Sequence, residues 1–402
     1  MDRDAHYVDD PTRRWRVLVT SAWFEPGYRG GGPVRSVAAI VDTVAPPVEV
    51  VLVTSDRDLG DAAPYAEVPG GWTRRGRAWV HRLDAGSPGA WWRLLRDLRR
   101  QRFDLLYVNS LWGPQFTLVF LAASSLRLLH VDDVLIAPRG ELTPGALSLK
   151  SRKKGAFLRL TQPLLRSRRV QWHASTAQEA AQIRLAVPSA KVIVVEPQIS
   201  LPERSMSPPV AHGGVISLVF LSRITAKKNL ELVVRCLDGL SLPATLDVYG
   251  PIEDFAYWRR CLAIIDQLPK HIRVAYCGEV RPAEVRSTFL RYDAFVFPTL
   301  GENFGHVIAE SLSAACPVLC SAETPWTAVL ENGGGTVLYD CSVKGMTREL
   351  SRLAAMGPAE RRRGRQAAGG AYDEWRCATL DANVIDVWRS ERREKASGRP
   401  RC

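Results

Sequence analysis

Short apolar runs alternate with helix-periodic segments along most of this chain. The alternation occurs twice, on either side of a proline- and glycine-rich stretch, and nothing else in the sequence restricts the fold as strongly. In the first series, residues 16–20 read as a buried strand, and Gly30, Gly31 and Gly32 form a tight loop. Val34, Val37, Ala38, Val41 and Val44 follow at helical spacing. Strands at 48–54, 104–109 and 134–137 continue the pattern, with a basic amphipathic helix at 91–102. In the second series, strands are expected at 217–221, 245–249, 273–276, 294–297 and 317–320, and helices at 230–240 and 258–268. Such alternation requires crossover connections, and hence parallel sheets layered with helices. The fold class is α/β, with two Rossmann-like doubly wound domains.

Residues 197–214 hold Pro197, Pro202, Pro208, Pro209, Gly213 and Gly214, the composition of a linker. The expected organisation is a tail at 1–14, a first domain at 15–205 and a second at 206–372. A helix at 373–390 and a basic tail at 391–402 complete it. A length of 402 residues suits two such domains. Two doubly wound domains joined in this way imply a cleft between them, where such folds bind ligands.

Composition excludes several classes. The eight cysteines include no C-x-x-C pair, which argues against a zinc ribbon or a thioredoxin-like site and for reduced thiols. The start of the chain lacks the apolar core of a signal peptide, and a cytoplasmic protein is expected. The uncharged run 105–126 could span a bilayer by length. Asn109, Ser110, Gly113 and Pro114 interrupt it, so it reads as strand, loop and buried helix. The net charge is +12, and nine charges of that surplus fall in residues 1–205. A positive field of this kind attracts phosphates, anionic lipid or nucleic acid.

Three stretches carry candidate chemistry. The loop Gly30-Gly31-Gly32 stands between a strand and a helix, where backbone N–H groups can approach a phosphate. It is not G-x-G-x-x-G, and no P-loop occurs, so dinucleotide oxidoreductases and P-loop enzymes lose support. Arg223 follows the first strand of the second series and Lys228 lies five residues on, two cations suited to a diphosphate. The stretch Gly301-Glu302-Asn303-Phe304-Gly305-His306 leads from a strand into a helix bearing Glu310. Two carboxylates there could accept hydrogen bonds from sugar hydroxyls.

In this order and spacing, the glycine loop, Ser222-Arg223 with Lys228, and Glu302 with Glu310 resemble the retaining GT-B glycosyltransferases of glycosyltransferase family 4. Supporting stretches are 137–142, 174–179 and 315–318, and the likeness runs from about Arg16 to Trp375. The resemblance implies a nucleotide-sugar donor, UDP- or GDP-linked, no required metal and no cofactor. It implies that Arg223 and Lys228 neutralise the leaving diphosphate and that Gly31 and Gly32 close on it. Glu302 would orient the sugar, Glu310 bind the ribose, and Val280 lie where main chain holds the base. Asn303, Phe304 and Gly305 would complete the donor loop. The helix around Trp375 would cross back to the first domain.

The chain departs from the family on the acceptor side. Many relatives carry a His where this chain reads Asn109-Ser110-Leu111-Trp112, and Arg139 stands where relatives often have His. An Asn-Gly pair before the linker is replaced by Glu196-Pro197-Gln198. Trp112, Arg139 and Glu141 are the acceptor-side candidates. Glu141 is also the one first-domain candidate for a nucleophile, should the reaction run by double displacement. The implied retaining route instead attacks from the leaving-group face, with a phosphate oxygen taking the acceptor's proton. The acceptor is an unidentified hydroxyl compound, with a lipid-linked one and an anionic membrane surface as open partners and no nucleic acid. The membrane reading rests on the basic helix at 91–102 and on residues 142–178, which contain no acid before Glu179. Two readings compete with transfer: a sugar-nucleotide epimerase or phosphorylase of the same shape, and a catalytically silent sugar- or nucleic-acid-binding protein.

Overall fold

A computed structural model describes residues 14–143, 161, 165, 169–209, 214–379 and 382–397. The chain divides into two units, one of residues 1–200 with 381–402 and one of residues 201–380.

The first unit is built on an eight-stranded sheet. Its strands are β1 (Trp15–Ser21), β2 (Val48–Ser55), β3 (Gly71–Arg75), β4 (Ala78–Leu83), β5 (Arg102–Asn109), β6 (His130–Ala137), β7 (Val170–Ala174) and β8 (Lys191–Val194). The order is β3-β4-β2-β1-β5-β6-β7-β8, parallel except for the β3–β4 hairpin at one edge. Helices α1 (Gly32–Thr43), α2 (Pro88–Arg99), α3 (Val119–Ser125) and α4 (Ala177–Ala186) cover its faces. Both faces are buried, which is why β1, β2 and β5 read as continuous apolar runs rather than alternating ones. Val17, Val19, Leu105 and Tyr107 pack on one side with Val37, Ile40 and Val41 of α1. Leu18, Leu106 and Val108 pack on the other with Leu94, Leu98 and Phe120. Each such side chain contributes about 1.5–3 kcal/mol on burial.

The second unit has a six-stranded, fully parallel sheet. Its strands are β9 (Ile216–Leu221), β10 (Ala244–Tyr249), β11 (Ile272–Tyr276), β12 (Ala294–Phe297), β13 (Val318–Ser321) and β14 (Gly335–Leu338). The order is β11-β10-β9-β12-β13-β14. Its helices are α5 (Leu230–Leu237), α6 (Phe255–Ile265), α7 (Val285–Phe289), α8 (His306–Ser313), α9 (Val343–Ala355) and α10 (Pro358–Ala378). Side-chain caps set several starts: Asp254 Oδ1 accepts from Tyr257 N at 2.9 Å to open α6, and Ser342 Oγ accepts from Gly345 N at 3.0 Å to open α9.

The last helix, α11 (Val384–Ser397), belongs to the first unit. Ile385 and Trp388 enter the α1 side of its core, and Trp388 meets Trp15 edge-on with ring centroids 5.7 Å apart. The helix expected to cross back therefore lies further along the chain than Trp375. Trp375 stays with the second unit on α10, packed against Trp326 at 4.6 Å. The break between units falls after Ser200, where the sequence expectation placed it after residue 205. The sequence reading also lacks β3, β4, β7, β8 and β14.

Candidate functional site

In a doubly wound sheet, ligands bind beyond the carboxyl ends of the strands where the strand order reverses. In the second unit that point lies between β9 and β12, neighbours in the sheet although 72 residues separate Leu221 from Ala294 in sequence. The segments leaving these two strands are laced together. Leu300 N donates to Lys227 O at 2.9 Å, and Asn229 Nδ2 to Pro298 O at 3.1 Å. Lys228 ends a short 3-10 turn, Ala226–Lys228, just before α5.

This lacing brings Lys228 and Glu302 into contact. Lys228 Nζ donates to Glu302 Oε1 at 2.5 Å, with both side chains almost wholly buried. Thr299 Oγ1 donates to the same carboxylate oxygen at 2.9 Å. Lys228 Nζ also lies 5.3 Å from the ring centre of Phe297. Burial pushes the Glu302 carboxyl up, but Lys228 and Lys227 outweigh it and hold the group below the usual carboxylate range. A buried cation and a buried anion thus meet beside the switch point.

Arg223 is arranged differently. It leaves β9 and pairs at 2.7 Å with Glu253, beyond β10, with both side chains more than a third exposed. The two cations do not share one partner. Glu310 is buried one turn into α8. Gly305, at φ +83°, is the left-handed residue that starts α8. Phe304 is buried, and its carbonyl accepts from Trp326 Nε1 at 2.5 Å. Asn303 is partly buried in the same loop, and Val280 partly buried in the loop after β11. Thr299, Glu253 and Trp326 were not singled out by the sequence reading. The only trace of the first was its place directly after a strand.

In the first unit the order reverses between β1 and β5. Asn109 Nδ2, at the end of β5, donates to Ser21 Oγ at 3.2 Å. Gly31, at φ +69°, precedes α1, and a Cβ built on it meets nothing within 4 Å, so the loop is open there. Gly32 is the first residue of α1. Glu141 accepts from Ser110 Oγ at 2.7 Å, Leu111 N at 2.5 Å and Trp112 N at 3.2 Å. Trp112 Nε1 donates to Glu141 O at 3.2 Å. Both Glu141 oxygens are engaged in holding this loop, which weakens the case for a nucleophile. Arg139 donates through Nε to Asn109 Oδ1 at 2.9 Å, through Nη1 to Ser175 Oγ at 3.3 Å and through Nη2 to Tyr107 OH at 2.7 Å.

Residues 206–369 match the family described as glycosyl transferases group 1. No curated protein matches the sequence as a whole. The fold of the whole chain is that of GT-B glycosyltransferase structures. Sucrose-phosphate synthase from Thermosynechococcus elongatus is 15% identical with a TM-score of 0.71, covering 96% of this chain and 100% of that one. Anabaena HepE, solved with UDP and glucose, is 15% identical with a TM-score of 0.68, covering 94% and 99%. WaaG, a glycosyltransferase involved in lipopolysaccharide biosynthesis, is 13% identical with a TM-score of 0.62, covering 95% and 100%.

A very close backbone approach within the matched residues is at Gly250, directly after β10. Its φ is +129°, and a Cβ there would stand 2.0 Å from Ser222 O, in the segment leading to Arg223. Gly250→Ala must push the two strand ends apart. We expect a loss of at least about 3 kcal/mol of stability, the sum of overpacking and backbone strain. A melting temperature unchanged within a degree or two would contradict the close approach.

Proposed function

We propose that the chain is a retaining, metal-independent glycosyltransferase that moves a sugar from a UDP-linked donor to an acceptor hydroxyl. The meeting of Lys228 and Glu302 at the β9–β12 switch point of a group 1 domain carries the reading. That HepE was solved with UDP and glucose, and with UDP-glucose, supports uridine diphosphate as the leaving group.

Breaking the bond between sugar and phosphate builds negative charge on the diphosphate and positive charge on the anomeric carbon. Lys228 and Arg223 answer the first charge as fixed donors whose effect grows as the bond breaks. In the free protein both cations hold carboxylates. An arriving diphosphate exchanges those partners for its own oxygens, and the freed Glu302 turns to the sugar hydroxyls. Thr299 keeps Glu302 in place during that exchange. Glu310 would take the ribose, and the main chain at Val280 the base. Asn303, Phe304 and Gly305 shape the loop around the donor. The acceptor hydroxyl loses its proton to a diphosphate oxygen as it attacks from the leaving-group face, so no protein base is needed.

The test is release of UDP and capture of the glycosylated product from a panel of nucleotide sugars, with the anomeric configuration read by NMR. Hydride transfer or epimerised donor without transfer would refute the reading. Turnover is expected to survive exhaustive EDTA, because Arg223 and Lys228 meet the diphosphate charge. Complete loss, restored by Mg²⁺ or Mn²⁺, would refute metal independence.

Association with an anionic membrane belongs to the same proposal. On α2, Trp92 is 70% exposed amid exposed Arg93, Arg96 and Arg99. Among the described residues, no helix is long and apolar enough to cross a membrane. Most of the second basic segment, 144–160, lies outside the described residues. Salt-sensitive co-sedimentation with anionic but not neutral vesicles is expected. Equal failure with both at low salt would remove the membrane from the proposal.

A further inference from the structure

Arg139 combines three features that a simple structural arginine does not need. The first is an unneutralised charge. All three of its hydrogen bonds go to neutral oxygens, those of Asn109, Ser175 and Tyr107. Among the described residues it forms no ion pair. A guanidinium stays charged at any working pH and carries five N–H donors, so two remain to be met. The buried carboxylate of Glu179 is occupied elsewhere, by Gly140 N at 2.6 Å and Ser175 N at 2.7 Å.

The second feature is how rigidly the group is held. Tyr107 OH accepts from Arg139 and donates to His173 Nδ1 at 2.9 Å. His173 Nε2 lies 2.9 Å from Val195 O, a group that can only accept, so Nε2 carries a proton, and burial beside the Arg139 charge disfavours a second proton on Nδ1. The ring is therefore neutral and brings no second charge. Arg139 itself sits at φ +53°, a left-handed conformation that costs a non-glycine residue of order 1–3 kcal/mol. Strain of this kind persists only where the surroundings hold it in place.

The third feature is a recess. Arg139, His173, Ser36, Glu196 and Gln198 line a small open depression with a cavity volume of about 10 Å³, at the carboxyl edge of the first unit's sheet. A volume of that order holds about one water-sized group, so the recess receives only one polar group of a larger molecule, the rest of which lies outside it. Glu196 is exposed and forms no ion pair with Arg139.

We propose that Arg139 is the specificity residue for the acceptor, binding a carboxylate or phosphate carried by it. The acceptor is then an acidic glycan or a glycosyl phosphate rather than a neutral sugar. This rests on the reading of the chain as a glycosyltransferase, but its test can be made without turnover.

The full chain is titrated with glucuronate, glucose 6-phosphate and glucose at one ionic strength, with binding followed by calorimetry. Either or both anions should bind, identifying the preferred anionic group, and glucose should bind at least tenfold more weakly. Arg139→Gln, checked for folding by circular dichroism, should weaken the anions about tenfold or more, the value of a charge-assisted hydrogen bond. Because Arg139 also joins three strand ends, a second variant guards against misfolding. Glu196→Gln removes the facing negative charge from an exposed side chain and should tighten the anions while leaving glucose unchanged. Equal binding of all three, or of none, would overturn the proposal. So would anion binding that survives Arg139→Gln but disappears in Arg223→Ala, since it would then belong to the second unit. Failure of UDP-sugar turnover would instead sink the glycosyltransferase reading and leave these titrations to stand.

Discussion

Lys228→Ala is expected to lower turnover of the nucleotide sugar by about 10²–10³, the cost of removing one fixed donor to a developing anion. The ground-state affinity for UDP should fall much less, because the leaving group carries its largest charge in the transition state. The same change strands Glu302 in a buried position with Thr299 as its remaining side-chain partner. Breaking a buried pair by removing one member typically costs 3–5 kcal/mol. The two effects separate by experiment: turnover is read from UDP release at saturating donor, and stability from urea unfolding. The pair also has a pH signature. Glu302 is held below its usual range in the fold, so its stabilisation is complete above about pH 4, the unfolded carboxyl's range, and is lost as pH falls through the folded value. A Lys228→Ala variant with full turnover would remove Lys228 from the diphosphate site.

His173 gives the second large effect. Burial, reinforced by Arg139, pushes its imidazole down to about 3. An unfolded histidine titrates near 6.5, so between these values the unfolded chain binds a proton that the folded chain refuses. Stability should therefore be full above about pH 6.5 and fall by about 1.4 kcal/mol per unit as pH drops below it. Unfolding curves at pH 6.5 and 4.5 should differ by about 2 kcal/mol more in the wild type than in His173→Gln. The variant is expected to be less stable at pH 7, since Tyr107 loses its nitrogen acceptor. Parallel pH profiles for the two proteins would show that the folded chain takes up the proton as readily as the unfolded one.

The central parallel strands were legible because burial on both faces leaves almost no polar residue in them, as in Val17, Leu18 and Val19 or Phe295, Val296 and Phe297, whereas the parallel strands nearer the sheet edges, β4, β7, β8 and β14, were not read. The β3–β4 hairpin was not, for the opposite reason. It is an edge, partly exposed, and its Trp72-Thr73-Arg74-Arg75-Gly76-Arg77 reads as a polar loop. Strand β7 hides Gln171 and His173 among its apolar residues, and their acceptability depends on partners elsewhere in the sheet. The candidate site was legible as residue types at a spacing. What could not be read was who pairs with whom. Lys228 and Glu302 are 74 residues apart and Arg223 and Glu253 are 30 apart, and only the parallel crossovers bring them together. Likewise Trp375 and Trp388 are both aromatic residues on amphipathic helices, and packing alone decides which one leaves the second unit.

The return of α11 to the first unit has a consequence for how the molecule is made. Asn383 Nδ2 donates to Ile40 O at 2.9 Å, and Asp386 accepts from Ala45 N at 2.9 Å, so the last segment closes contacts with the first helix and the turn after it. On the ribosome, those partners emerge with the whole second unit still to be translated. About 340 residues separate them from α11, and at 5–20 residues per second the delay is roughly 17–70 s. Through that interval the α1 face stands without Ile385 and Trp388, an apolar surface open to chaperones and to other nascent chains. The second unit, by contrast, is one uninterrupted stretch and waits for nothing downstream.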